Sequence, residues 1–133
     1  MNLEQAIHQR WADTPALEAL LPAARLKTGR SRGDPMPYAT LTRQRNRTAL
    51  RSNAGDAVDE TALQIDVWCE EFDAGHAIAE QVKAAFDRAA FDLSGGDRVV
   101  QMRRTGDAAS QDPDGVWRFA LQFLVQVHLP SGV

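Results

Sequence analysis

One cysteine, one tyrosine, three histidines and no long apolar run are what this 133-residue chain offers on first inspection. Cys69 alone cannot form an internal disulfide, so nothing in the sequence calls for an oxidising compartment. His8, His76 and His128 lie far apart, whereas a zinc site gathers several Cys or His ligands. No stretch approaches the roughly 20 apolar residues of a membrane span. The start, Met1-Asn2-Leu3-Glu4-Gln5, brings an acid early and no apolar run after it, unlike a secretory signal. The net charge of -3 is too small to name a partner.

Motifs of chemistry are missing too. Gly95-Gly96 is followed by no Lys-Ser or Lys-Thr, so it reads as a turn and not a phosphate loop. A nucleophile elbow is absent. Cys69 falls on the apolar side of a strand pattern, where a structural thiol outweighs a nucleophile. His76 and Glu80 stand one helical turn apart, half a metal site at best. Asp112 and Asp114 flank Pro113, and turn chemistry explains them better than calcium does. No catalytic, cofactor-binding or metal residue is nominated.

What is present is an ordinary single-domain composition over residues 1–133, with 44% apolar and 25% charged residues. Leu3, Ile7 and Trp11 recur at helical spacing, and Asp13-Thr14-Pro15 predicts the start of a second, short helix carrying Leu17, Leu20 and Leu21. Gly29 to Pro37 reads as a loop. A strand is expected from Pro37 through Thr42, running into a polar arm, Arg43 to Arg51, whose strand character the pattern leaves open. Asn53-Ala54-Gly55-Asp56 is a turn signal. In Thr61 to Phe72, Leu63, Ile65, Val67 and Cys69 alternate with Gln64, Asp66, Trp68 and Glu70, the period of a sheet with one buried face. Asp73 is the expected N-cap of a helix whose stripe is Ile78, Val82 and Phe86. Arg98 to Thr105 is an expected strand with Val100 and Met102 on one side, and Gly106 to Gly115 an expected loop. Trp117 to Leu129 alternates most clearly of all. The expectation is an α+β fold, a four-stranded, mainly antiparallel sheet with helices packed on one face.

Charge is segregated. Lys27, Arg30, Arg32, Arg43, Arg45, Arg47 and Arg51 face only Asp34 between residues 27 and 51. Residues 56 to 80 hold Asp56, Asp59, Glu60, Asp66, Glu70, Glu71, Asp73 and Glu80, with no Lys or Arg. In a continuous strand Arg43, Arg45 and Arg47 would project from one face and repel one another unless something anionic sat opposite. A solvated or internally paired arm is the plainest reading, an acidic protein surface the next and nucleic acid the third. Trp68, on the polar face of its strand, would be covered by a loop or be open to a neighbouring subunit, where tryptophan is a favoured anchor.

This order of elements, with Pro37-Tyr38-Ala39-Thr40-Leu41 opening a strand, Leu63-Gln64-Ile65-Asp66-Val67-Trp68 in the next, the helix Ala77 to Phe86 and the closing strand Trp117 to Leu129, resembles the tail-terminator (tail-completion) proteins of long-tailed phages, prophages and gene-transfer agents. The resemblance implies a virion tail protein assembled in the bacterial host cytoplasm. It implies a ring, usually hexameric, on the head-proximal end of the tail tube, which stops tube polymerisation and meets the head connector. DNA would pass through the centre without sequence-specific binding, and no catalysis or cofactor is expected. A head-to-tail ring needs two complementary patches on each subunit. The arm (Arg43, Arg45, Arg47, Arg51) and the acidic strand–helix region with Asp66, Trp68 and Glu70 are the candidate surfaces. Competing readings are a nucleic-acid-binding module using residues 43–51, whose binding would fall steeply with salt, a small dimeric α+β enzyme or ligand binder, and another tail or connector ring protein of related fold.

Overall fold

The computed structural model describes residues 2–29, 35–53 and 55–130. Most of the expected Gly29–Pro37 loop, and Ala54 of the expected turn, lie outside the described residues. The helices are α1 (Leu3–Ala12), α2 (Pro15–Leu20) and α3 (Phe72–Phe86). The strands are β1 (Leu26–Thr28), β2 (Tyr38–Arg51), β3 (Ala57–Cys69), β4 (Ala89–Asp92), β5 (Arg98–Gln111) and β6 (Trp117–Leu129). They form one sheet in the order β1-β2-β3-β6-β5-β4. Among the described residues only β1 runs parallel to its neighbour.

The α+β class holds, but among the described residues the sheet has six strands where the sequence pattern suggests four. The two extra strands, β1 and β4, are three and four residues long, too short to show alternation. The residues 106–111, expected as loop, extend β5 along β6, with Asp107 opposite Leu121 and Ala109 opposite Phe119. Small and polar side chains at a largely exposed edge carry no period-two signal. The polar arm is strand throughout, because β3 and β6 pair with each other along its whole length, to Ala57 opposite Leu129.

Helices and sheet share one core. Leu63, Ile65, Val67, Phe119, Leu121 and Phe123 are buried beneath Ile78, Val82 and Phe86 of α3 and Trp11 of α1. Asn2 and Gln5 close a capping box on α1, and Pro15 opens α2, where its missing N–H costs nothing. The Trp11 indole donates to the Leu21 carbonyl (2.7 Å), so the largest buried side chain leaves no polar atom unpaired. Arg10 donates from Nε to the Ala85 carbonyl (2.7 Å), closing the end of α3. The N-cap of α3 is Glu71; Asp73, expected there, sits in the first turn, where its charge still favours the helix dipole.

Beta-bulges break the alternation at several points. One falls at Val100, so Val99 and Met102 are the buried pair and Val100 is exposed, correcting the expectation that Val100 and Met102 share a side. Those at Gln44 in β2 and Thr105 in β5 are level with each other across β3 and β6. Bulges bend their strands and tighten the twist. Here they curl the sheet enough for Gln44 and Thr105 to line one hollow with Ala62 and Gln122.

Candidate assembly surfaces

The arm is the outer half of β2. From Thr42 to Arg51 every side chain is exposed, and among the described residues no strand pairs on its outer edge beyond Leu41. The bulge decides where its arginines point. Arg43 lies opposite Leu63, on the helix side, whereas Arg45 and Arg47 lie opposite Ala62 and Glu60, on the helix-free side. The expectation that all three share one face is thereby overturned: the unpaired Gln44 reverses the parity of the strand. A second shift, at Ala49, sets Leu50 opposite Val58 and Arg51 opposite Ala57. Arg43 grips Glu4 of α1 through Nε (3.0 Å) and Nη2 (2.6 Å). Arg47 reaches Glu60 at 3.1 Å. Arg45 and Arg51 meet no carboxylate among the described residues. Beside Arg51, Leu50 is 65% exposed.

The helix-free face carries a second constellation. Tyr38, Trp68 and Arg118 stand in register across β2, β3 and β6. The tyrosine ring stacks on Trp68 (6.0 Å, 17°) and the guanidinium lies 5.1 Å from the indole on its other flank. Arg118 donates from Nε to Asp66 (3.1 Å), and Gln64 donates to both oxygens of the same carboxylate (2.8 and 3.1 Å). Asp66 is only 5% exposed, so these bonds satisfy a charge that burial would otherwise penalise. Among the described residues Trp68 is clamped by its strand neighbours, and its buried Nε1 has no hydrogen-bond partner there.

At the opposite end of β3 from the arm tip lies the acidic end. Cys69 pairs with Trp117, which pairs with Gln111, so Glu70, Glu71 and Asp73 share this end with Asp112 and Asp114 of the β5–β6 turn. Among the described residues, Glu70, Glu71, Asp73 and Asp114 meet no cation. Next to them, α3 and the outer half of β5 frame an apolar cavity of about 170 Å³ lined by Phe72, His76, Ala79, Ala109, Phe119 and Leu121. Phe72 is 42% exposed, stacked on His76 (5.7 Å) and edge-on to Trp117 (5.0 Å). Lys83 bridges the cavity wall, 2.6 Å from Asp107 and 3.0 Å from Glu80. Its hydrogen bonds hold the carboxyls of Asp107 and Glu80 below their usual range and, through Asp107 first, raise the lysine. The His76–Glu80 pair is loose, at 3.9 Å.

The tail completion protein gp17 family matches residues 5–128. The chain belongs to that family. It is a structural protein of the phage virion tail. Among solved structures, a chain of the "Virion of native gene transfer agent (GTA) particle" has the same fold, with a TM-score of 0.74 and 21% identity over 96% of this chain and 95% of that one. No curated protein matches.

Of the surface residues nominated from sequence, this tail completion protein keeps Arg45, Arg47 and Arg51 together on the arm, joins Asp66 to Trp68 through Arg118, and leaves Glu70 at the far end. Sequence reasoning missed Leu50, Phe72, Lys83 and Asp107. Leu50 had a signal, an isolated aliphatic residue in a polar arm. The Lys83–Asp107 bridge had none, since it joins a helix to residues read as loop.

Proposed function

We propose that the chain forms a head-to-tail ring that caps the head-proximal end of the tail tube, ends its polymerisation and presents a surface to the head connector. Six subunits are the number the family resemblance implies, with DNA passing through the centre. The observation that carries this reading is polarity within one subunit. A projecting arm with Arg45 and Arg51, unpaired among the described residues, stands at one end of strands 13–14 residues long. Glu70, Glu71 and Asp73, unpaired in the same sense, stand at the other. Unlike patches on one surface build heterologous contacts, which close into rings. Membership of a structural virion family supports a role in assembly and not in catalysis. Internal pairing of Arg43 and Arg47 weakens the nucleic-acid reading of the arm, leaving, among the described residues, two unpaired arm cations where a phosphate track needs many.

Electron microscopy of the purified protein, alone and mixed with tail tubes, tests the proposal. Rings, or caps on one end of each tube, are the expected result. Monomers that ignore tube ends would refute it.

A further inference from the structure

We propose that the ring is joined arm into groove: the Leu50 tip of one subunit's β2–β3 hairpin seats in the apolar cavity between α3 and β5 of the next. This rests on the ring reading above and specifies its contact.

Three observations lead to it. First, each half is unfinished alone. Leu50 is 65% exposed at the end of a polar strand, where none of the described residues covers it. The cavity, at about 170 Å³, lies open beside a 42% exposed Phe72. An apolar cavity of roughly 150 Å³ admits a benzene-sized group, so one leucine side chain fits. Second, the charges correspond. The tip carries Arg51, with Arg45 further back, both unpaired among the described residues; Glu71 and Asp73, which flank the cavity-lining Phe72 at the start of α3, are unpaired in the same sense, whereas the Lys83 and Asp107 of the lining already pair with each other. Opposite charges around an apolar plug set register and exclude wrong partners. The outer edge of β5 from Thr105 onward, which no described strand covers, borders the same groove and offers the arm unpaired backbone groups.

Third, a subunit cannot fill its own groove. Leu50 is level with His128 on β6, and the cavity is level with Ala120. Eight residues separate them, about 26 Å of strand at ~3.3 Å per residue. The contact is made in trans. Its two halves are different surfaces, which is the geometry a cyclic ring requires.

The experiment uses full-length protein on tail tubes. Leu50→Cys and Ala109→Cys chains are mixed, assembled and treated with a short bismaleimide. The buried Cys69 is a built-in control, since wild-type chains should give no adduct. The expected result is a two-chain adduct in the mixture, absent from either variant alone and from Leu50→Cys mixed with Ala12→Cys, on the remote helix α1. In parallel, Leu50→Asp should lose rings while keeping the wild-type circular dichroism spectrum. Wild-type rings without the adduct, or Leu50→Asp rings of normal abundance, would overturn the arm-into-groove contact and leave the ring standing. Wild-type protein that ignores tube ends would overturn the ring itself, and this contact with it.

Discussion

Gly75→Ala is the substitution for which local and tertiary physics give opposite answers. On helix propensity alone, alanine in place of glycine inside α3 should stabilise by about 1 kcal/mol. The packing says otherwise. Gly75 is where α3 comes closest to the sheet: an added Cβ would collide with Phe119 Cε2, lie 2.9 Å from its Cδ2 and 3.1 Å from the Cys69 Cβ. Phe119 sits between Phe72 at 5.4 Å and Trp117 at 6.5 Å, and turning its ring away, into the cavity it lines, would loosen both contacts. Cys69 is fixed by its strand. Overpacking of this kind costs about 1–3 kcal/mol, so the net effect is a loss of up to about 2 kcal/mol. In a domain of this size each kcal/mol is worth about 4 °C in Tm. The assay is thermal and urea denaturation of Gly75→Ala, of Phe119→Leu, and of the pair. The double variant should be less destabilised than the sum, because the smaller side chain makes room for the methyl. A Gly75→Ala protein at or above the wild-type Tm, or strict additivity, would refute the reasoning.

Other consequences are open to measurement. Arg118→Met removes the charged partner of buried Asp66, leaving it to Gln64, and the cation over Trp68; it should cost about 1–3 kcal/mol in urea midpoint analysis and shift the tryptophan emission, and an unchanged spectrum would contradict the clamp. Lys83→Met should cost less than about 1 kcal/mol at pH 7, because the bridge is partly exposed. The carboxyls of Asp107 and Glu80 sit below their ordinary values of 3.8 and 4.5, so what Lys83 contributes is present above those values and fades as pH falls through the folded ones. Because Lys83 itself is raised above 10.5, the contribution is also lost as pH climbs past its folded value. A gap between wild type and Lys83→Met that stayed constant from pH 7 down to pH 2 would rule this out. Arg10→Ala should destabilise by about 1–2 kcal/mol, since the Ala85 carbonyl loses its donor and Phe91 its cation; a midpoint equal to wild type would show that water replaces the guanidinium without cost.

The parts of the fold that sequence reveals are those where one periodicity runs uninterrupted over one buried face. β3 and β6 qualify, and so does α3. The cap at Thr14-Pro15 is legible because proline has few places to go. Short strands escape because three residues cannot define a period. Bulges escape for a deeper reason: the extra residue has no side-chain signature of its own. Gln44 and Val100 are ordinary residues whose only effect is on the facing of the residues beyond them. That is why the pattern aligns Arg43 with Arg45, and why it puts Val100 where Val99 belongs. The candidate surfaces were half visible for the same cause. Charge segregation showed the arm and the acidic region, but which cations remain unpaired depends on register, and the register depends on the bulges.

The bulge at Gln44 also separates what the protein keeps from what it can vary. Upstream of it, β2 follows the core: Ala39 and Leu41 are buried, and any slip would expose them. From there to the second shift at Ala49 inside and outside are exchanged, and nowhere beyond Gln44 is a side chain of the strand buried. A gain or loss of one residue at that point would rotate the display of the arm by half a turn and leave the core alignment untouched. A one-residue insertion or deletion there would therefore change the arm's surface chemistry more than any point substitution, without moving a buried side chain of β2.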